Sequence, residues 1–385
     1  MATRRIGIVM NGVTGRMGTN QHLIRSIVAI RAEGGLRLQS GDVLMPDPIL
    51  VGRNEAKLAA LARAHGVERW TTDLDAAIAE PRDEVFFDAA TTQLRAGLVR
   101  RAIEAGKHIY CEKPTADNLA DAVGIATLAR RRGVKHGVVQ DKLFLPGLRK
   151  LKMVIESGFL GRMLSVTADF GYWVFEGDLQ PANRPSWNYR RAEGGGLILD
   201  MLCHWRYVLD NTFGAVKSLT CLGVTHIPER VDEAGRRYAA DADDAAYATF
   251  LLEGGVIAHI NSSWCTRVRR DDLVTFHVDG THGSAVAGLH KCFTQARVNT
   301  PRPVWDPDVP QPIDFFAGWQ EVPDTVAWPS AFRAEWELFL RHLAGELAEF
   351  PWNLEAGARG VQTAEAAMRS WRERRWIDLE ELSFQ

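Results

Sequence analysis

Short apolar runs alternate with helix-periodic stretches through the first 142 residues of the chain. Ile6–Met10 is an uninterrupted apolar run, and Met17–Ile30 repeats its apolar positions on one helical face. Arg31–Asp47 is polar and Gly-rich and reads as an insertion, followed by a short strand at Ile49–Val51. Glu55–His65 predicts a helix with Asn54 as its N-cap. Strands are expected at Val85–Ala89, His108–Cys111 and Lys135–Gln140. Helices are expected at Leu94–Ala105 and Leu119–Arg132, each closed by a glycine, Gly106 or Gly133. Strands alternating with helices of this length predict right-handed crossovers and a buried parallel sheet.

The pattern changes after one more helix, Leu143–Ser157. Leu164–Tyr172, Ser218–Thr225, Ala245–Leu252, Val256–Ser263, Leu273–Val278 and Ser284–Ala287 read as antiparallel strands, with Gly254-Gly255 as a hairpin turn. Helices are expected at Gly195–Asn211, Phe332–Leu347 and Ala356–Arg372, the last two with the option of packing back on the first domain. The expected class is α/β: a doubly wound parallel domain over residues 1–142, then a second α/β domain over 143–385 built on a mostly antiparallel sheet.

A length of 385 residues supports two cores rather than one. A net charge of −2 argues against nucleic acid or an acidic membrane as a partner, since both require a concentrated basic surface. The arginines at 130–132 suit a helix C-terminus. The five cysteines are scattered and form no C-x-x-C pair, which predicts reduced thiols, a cytoplasmic location and no metal site. Met1–Met10 lacks the apolar core of a secretory signal, and no apolar run is long enough to span a bilayer.

The run Gly12-Val-Thr-Gly15-Arg-Met-Gly18 stands between the first strand and the first helix, the context a dinucleotide site requires. Glycine lets the backbone approach a pyrophosphate, and the helix N-terminus offers it N–H groups. Asn11, Gly12, Thr14, Gly15, Arg16 and Met17 are the expected contacts, although Met10 stands where a first glycine is usual. The second strand ends Val51-Gly52-Arg53-Asn54, without the acid that would bind a ribose 2′-hydroxyl. Arg53 is either a partner for a 2′-phosphate, which favours NADP over NAD, or an exposed loop residue. Asn54 and Thr91 complete the expected cofactor contacts at the strand tips.

Glu112-Lys113-Pro114 follows another strand at the edge where such sheets bind ligands. Pro114 restricts Lys113 to an extended backbone and permits a cis bond. A lysine aimed into a cleft can polarise a hydroxyl and shuttle its proton; the alternative is a loop lysine paired with Glu112. Further on, Gly194-Gly-Gly196 precedes Asp200 and His204, spaced i and i+4 and therefore on one helix face. A carboxylate beside an imidazole suits a general base, and the preceding glycines suggest a close approach to substrate. The alternative is a surface ion pair.

Together these motifs resemble the glucose–fructose oxidoreductase/inositol dehydrogenase/MocA family along essentially the whole chain. The resemblance implies a Rossmann domain, a second domain with a large antiparallel sheet, and a sugar, cyclitol or related polyol substrate. It matches Lys113, Asp200 and His204 to the family's catalytic lysine, aspartate and histidine, and Glu112 to the acid near the nicotinamide ribose. Thr91-Thr-Gln-Leu-Arg95 departs from a frequent Thr-Pro-x-x-x-His, and Gln140-Asp-Lys142 from Asn-x-Arg.

Lys142, Tyr172, Trp173, Trp187, Tyr189, Arg190 and His204 are the expected substrate contacts. Aromatic faces stack on sugar rings, whereas the alternative for Trp173, Phe175, Trp187, Tyr189 and Trp264 is sheet-face packing. The first expectation for function is an NAD(P)-dependent dehydrogenase acting on a sugar, glycoside or cyclitol. A hydrolase or isomerase that recycles its bound nucleotide and a non-catalytic sugar or redox sensor are the alternatives. A homodimer or homotetramer is expected on family grounds, through an uncovered face of the second sheet.

Overall fold

A computed structural model describes residues 2–173, 177–270 and 272–385. The chain divides into two compact units, Met1–Phe144 with Pro329–Glu365 and Glu381–Gln385, and Leu145–Trp328 with Ala366–Glu380. The first unit therefore takes in the helix Ala331–Leu343 as well as residues up to 144.

The first unit is built on β1 (Thr3–Asn11), β2 (Leu36–Arg37), β3 (Val43–Val51), β4 (Arg69–Thr71), β5 (Val85–Asp88), β6 (His108–Cys111) and β7 (His136–Val138). Their order is β2-β3-β1-β5-β6-β7, with β4 also against β3, and all pairs except β2–β3 are parallel. Strand residues alternate between two apolar cores. Ile8, Met10, Phe87 and Tyr110 enter one core with Leu23, Ile27 and Trp336, while Val9, Phe86 and Ile109 enter the other with Val99, Ile103 and Ile125. Burial on both faces explains why these strands read as continuous apolar runs. The order turns back between β3-β1 and β5, so the C-terminal tips of β1 and β5 mark the topological switch point.

Most of the supposed insertion Arg31–Asp47 is ordered structure: Val43–Asp47 begins the nine-residue β3, and Leu36–Arg37 pairs with it. Pro46 and Pro48 hid this strand. They lie between the part of β3 paired with β2 and the part paired with β4, where a missing N–H breaks no ladder on that edge. The first helix, expected at Met17–Ile30, is wound with π-type hydrogen bonds over Gly18–Val28 before an α-helical turn at Ala29–Ala32.

The second unit carries β8 (Met163–Gly171), β9 (Val216–Val224), β10 (Glu229–Val231), β11 (Arg237–Ala239), β12 (Ala245–Leu252), β13 (Ile257–Ser263), β14 (Val274–Gly280), β15 (Gly283–Ala287), β16 (Cys292–Ala296), β17 (Gln320–Glu321) and β18 (Ile377–Asp378). Among the described residues, nine of these form one sheet in the order β17-β16-β15-β14-β8-β13-β12-β9-β18, antiparallel except at β8–β13. The helix Leu197–Thr212 packs on it through Trp205, whose indole N–H donates to Ser262 Oγ at 2.8 Å and whose ring lies against Phe170 and Phe276. No helix among the described residues is long and apolar enough to cross a membrane.

Candidate active site

In the first unit, the glycine turn leaves the tip of β1. Gly12 has φ +75°, and a Cβ there would lie 2.6 Å from the Ala89 and Ala90 backbone at the tip of β5. A Cβ on Gly18 would meet the Gly12 carbonyl at 2.5 Å, so both glycines are required by close backbone approach. The helix begins at Arg16, where the preceding Gly15 has no side chain to cap it, which leaves its first turn able to receive an anion. Thr14, Gly15 and Arg16 are exposed there, and Met17 is half-buried. Gly52 at the tip of β3 lies against Thr14, which brings the exposed Arg53 to the same edge. The turn fits a dinucleotide pyrophosphate.

Other expected cofactor residues are tied into the strand tips. Asn11 is buried, and its amide donates to Asp88 Oδ1 at 2.7 Å. Asn54 accepts from the Lys57 N–H at 2.9 Å, the expected N-cap. Thr91 is exposed at the start of the helix Thr92–Glu104. Arg95, in the same helix, is 3% exposed and bonds Asp88 Oδ2 at 3.0 Å, the Ala90 carbonyl at 2.6 Å and the Pro114 carbonyl. One guanidinium thus ties the tip of β5 to the turn after β6.

That turn carries Lys113, half-buried and joined to Pro114 by a cis bond. The Glu112 carboxylate is buried and accepts from the Lys113 backbone N–H at 3.1 Å. It also bonds His22 Nε2 at 2.9 Å, and His22 Nδ1 accepts from the Trp336 indole at 3.0 Å. Burial pushes the Glu112 carboxyl up, but the His22 hydrogen bond and the charges of Lys113 and Arg95 outweigh it and hold the pKa below its ordinary value. Lys142 is half-buried in the turn Asp141–Phe144, with its ammonium 3.6 Å from Asp141.

In the second unit, Asp200 and His204 stand on the helix Leu197–Thr212. Asp200 is half-buried and accepts from Arg184 at 2.7 Å, while the Arg184 guanidinium covers the Trp264 ring. His204 is buried, with Nδ1 2.6 Å from the Tyr207 hydroxyl. When Nδ1 carries the proton and donates to Tyr207, Nε2 keeps a lone pair for use as a base. The glycines before this helix serve a different purpose from the one expected. A Cβ on Gly195 would lie 2.5 Å from the Asn188 carbonyl, and one on Gly196 would lie 2.8 Å from the Asp243 carboxylate. Their close approach is to protein, because Asp243 Oδ2 caps the helix through the Ile198 N–H at 2.6 Å. Burial pushes the Asp243 carboxyl up to about 6.

The aromatic residues divide by burial. Tyr172 and Trp173 are half-buried, with Arg267 over the Trp173 ring, and Trp187 is 44% exposed. Tyr189 is 1% exposed, beneath the Arg230 guanidinium and edge-on to the equally buried Trp264, so both rings are core packing. Arg190 covers Tyr238 and pairs with Glu193 at 3.1 Å. Phe175 lies outside the described residues. Sequence reasoning missed His22, Arg184, Tyr207 and the buried pair Arg230–Asp244, 2.7 Å apart. Only the doublet Asp243-Asp244 ahead of an apolar strand hinted at buried acids.

Comparisons with known proteins bear on both units. The oxidoreductase family profile with an NAD-binding Rossmann fold matches residues 39–140, and the Gfo/Idh/MocA C-terminal domain profile matches residues 148–286. A D-xylose dehydrogenase of Paenarthrobacter nicotinovorans is 53% identical over 386 residues, covering 99% of each chain. A levoglucosan dehydrogenase of Pseudarthrobacter phenanthrenivorans is 26% identical over 252 residues, covering 62% of this chain and 64% of the relative. Among solved structures, levoglucosan dehydrogenase with NADH and L-sorbose superposes with a TM-score of 0.79 at 22% identity, covering 98% of each chain. The apo form gives 0.81 at 20% identity, covering 99% of this chain and 100% of that one. At those identities the likeness shows the shared two-part fold. The chain belongs to the Gfo/Idh/MocA family of NAD-binding oxidoreductases.

Proposed function

We propose that the chain is a sugar dehydrogenase whose substrate is D-xylose or a closely related aldose. The observation that carries this reading is the 53% identity to a D-xylose dehydrogenase over 99% of both chains. The intact Lys113, Asp200 and His204 support it, since a sensor needs no proton relay. The nicotinamide, when bound, supplies the hydride acceptor or donor. In the oxidative direction His204 Nε2 takes the hydroxyl proton, with the Nδ1 proton held by Tyr207. Lys113 is assigned the polarising role, and Asp200 an orienting role. Tyr172, Trp173 and Trp187 offer ring faces for the C–H side of the sugar, Lys142 and Arg190 offer donors to its hydroxyls, and Tyr189 supports the wall from beneath. Asn11, Gly12, Thr14, Gly15, Arg16, Met17, Asn54, Thr91 and Glu112 are the residues assigned to the cofactor. Arg53 gives NADP the advantage over NAD. The working state is a cytoplasmic homo-oligomer.

The test is purified protein incubated with D-xylose and NAD⁺ or NADP⁺, followed by the absorbance of reduced nicotinamide. Steady reduction with D-xylose supports the reading, and identification of the product as a lactone or a keto sugar assigns the reacting carbon. Sugar conversion without net reduction would move the assignment to a recycled cofactor; no turnover across a panel of aldoses and cyclitols would sink it. Lys113→Met is expected to leave nucleotide affinity nearly intact while turnover falls by roughly 10²-fold or more.

A further inference from the structure

We propose that His22 is a positioning residue for Lys113, acting through Glu112 as a fixed-tautomer donor; this rests on the assignment of Lys113 as the catalytic lysine. The geometry is a three-step chain inside the first unit. Trp336 Nε1–H donates to His22 Nδ1 at 3.0 Å, His22 Nε2 lies 2.9 Å from Glu112 Oε1, and Glu112 Oε2 accepts from the Lys113 backbone N–H at 3.1 Å. An indole N–H can only donate, so His22 Nδ1 must be bare and its single proton must sit on Nε2. His22 and Trp336 are wholly buried, and Glu112 is 6% exposed, so no water competes for these bonds. The imidazole therefore holds a neutral donor against the carboxylate, and the carboxylate in turn fixes the backbone from which the Lys113 side chain springs. The helix carrying His22 is π-wound over Gly18–Val28, and His22 is among its buried residues.

This arrangement has a titration consequence. The groups facing Glu112 are His22, Lys113, Arg95, Tyr110, Cys111 and the buried Glu335. Without the His22 donor, burial and the neighbouring acid act on Glu112 with less opposition, so it takes up a proton at higher pH. The neutral acid is then a weaker acceptor for the Lys113 N–H than the carboxylate.

The experiment measures kcat and KM against pH for the full-length enzyme with saturating nicotinamide cofactor and D-xylose, in wild type, His22→Leu, His22→Gln and Lys113→Met. We expect His22→Leu to lose about tenfold in kcat and to move the acid limb of the profile up by about one pH unit or more. His22→Gln, which retains an N–H donor, should return the limb close to its wild-type position. A His22→Leu enzyme with an unmoved acid limb overturns the inference even if its kcat is lower. A Lys113→Met enzyme with undiminished turnover instead overturns the catalytic assignment on which the inference rests. Should His22→Leu fail to fold, ¹⁵N NMR of the wild-type imidazole decides. A proton on Nε2 and a bare Nδ1 throughout the active pH range support the proposal, and a protonated Nδ1 overturns it.

Discussion

Arg53 and Lys113 occupy opposite kinds of position. Arg53 is exposed at the tip of β3, and its neighbour Gly52 lies against Thr14 of the glycine turn. Its contribution is therefore separable from stability. Arg53→Ala is expected to weaken NADPH binding relative to NADH by about tenfold in fluorescence titrations while the unfolding midpoint stays unchanged. An unaltered ratio would remove Arg53 from the cofactor assignment. Lys113 is half-buried in a turn held by Glu112 on one side and by the Arg95–Pro114 contact on the other. Lys113 was readable as chemistry from its Glu-Lys-Pro setting, and Asp200 and His204 from their i, i+4 spacing. Their partners His22, Arg184 and Tyr207 were not, except that Tyr207 lies one helical turn from His204. Hydrogen bonds such as His22–Glu112 join positions 90 residues apart, and no local pattern encodes them.

The helix Leu197–Thr212 shows what an element must satisfy before it can present Asp200 and His204. Its N-terminus is buried, so its free N–H groups need an acceptor, and Asp243 provides one. The Asp243 carboxyl is raised to about 6, so the folded protein holds its proton more tightly than the unfolded chain does. Its contribution to stability is then fully present below the unfolded value of roughly 4 and is lost as pH rises through about 6. Carboxyl ¹³C NMR should find this titration near 6, and Asp243→Asn should remove that segment of the stability–pH slope. Gly195→Ala would drive a methyl into the Asn188 carbonyl and is expected to destabilise the unit by about 1–3 kcal/mol in denaturant melts. A larger effect is expected beneath the aromatic wall. Asp244 is buried and accepts from Arg230, His226 N and Ile227 N, so Arg230→Met leaves a buried charge without its cation. A loss of about 3–5 kcal/mol is expected in the same measurement.

At the scale of the whole molecule, one face of the nine-stranded sheet exposes two apolar cross-strand pairs, with Thr249 and His259 between them. Leu222 pairs directly with Tyr247, Leu251 pairs directly with Ile257, and all four are exposed. Such a face suits a symmetric partner. Sedimentation is expected to show an oligomer, and Leu251→Lys with Ile257→Lys should shift it toward monomer; a wild-type monomer would contradict the assembly.

What the sequence determined by itself was the alternation of strand and helix, the glycine turn and the helix caps. Asn54 and Gly133 act through contacts within a few residues, and a local pattern is sufficient to specify them. Ile49–Val51 was expected as a strand, but the first part of β3 escaped because Pro46 and Pro48 are unfavourable locally and tolerable only where a neighbouring edge is open, which depends on how β2 and β4 fall in the sheet. The same holds for the site. Lys113, Asp200 and His204 were legible as reactive types, but the tautomer of His22, the Arg184 partner of Asp200 and the protein-facing role of Gly195 and Gly196 arise from long-range packing. Those were decided only by the tertiary structure, because hydrogen-bond satisfaction in a buried site is a property of everything that surrounds it.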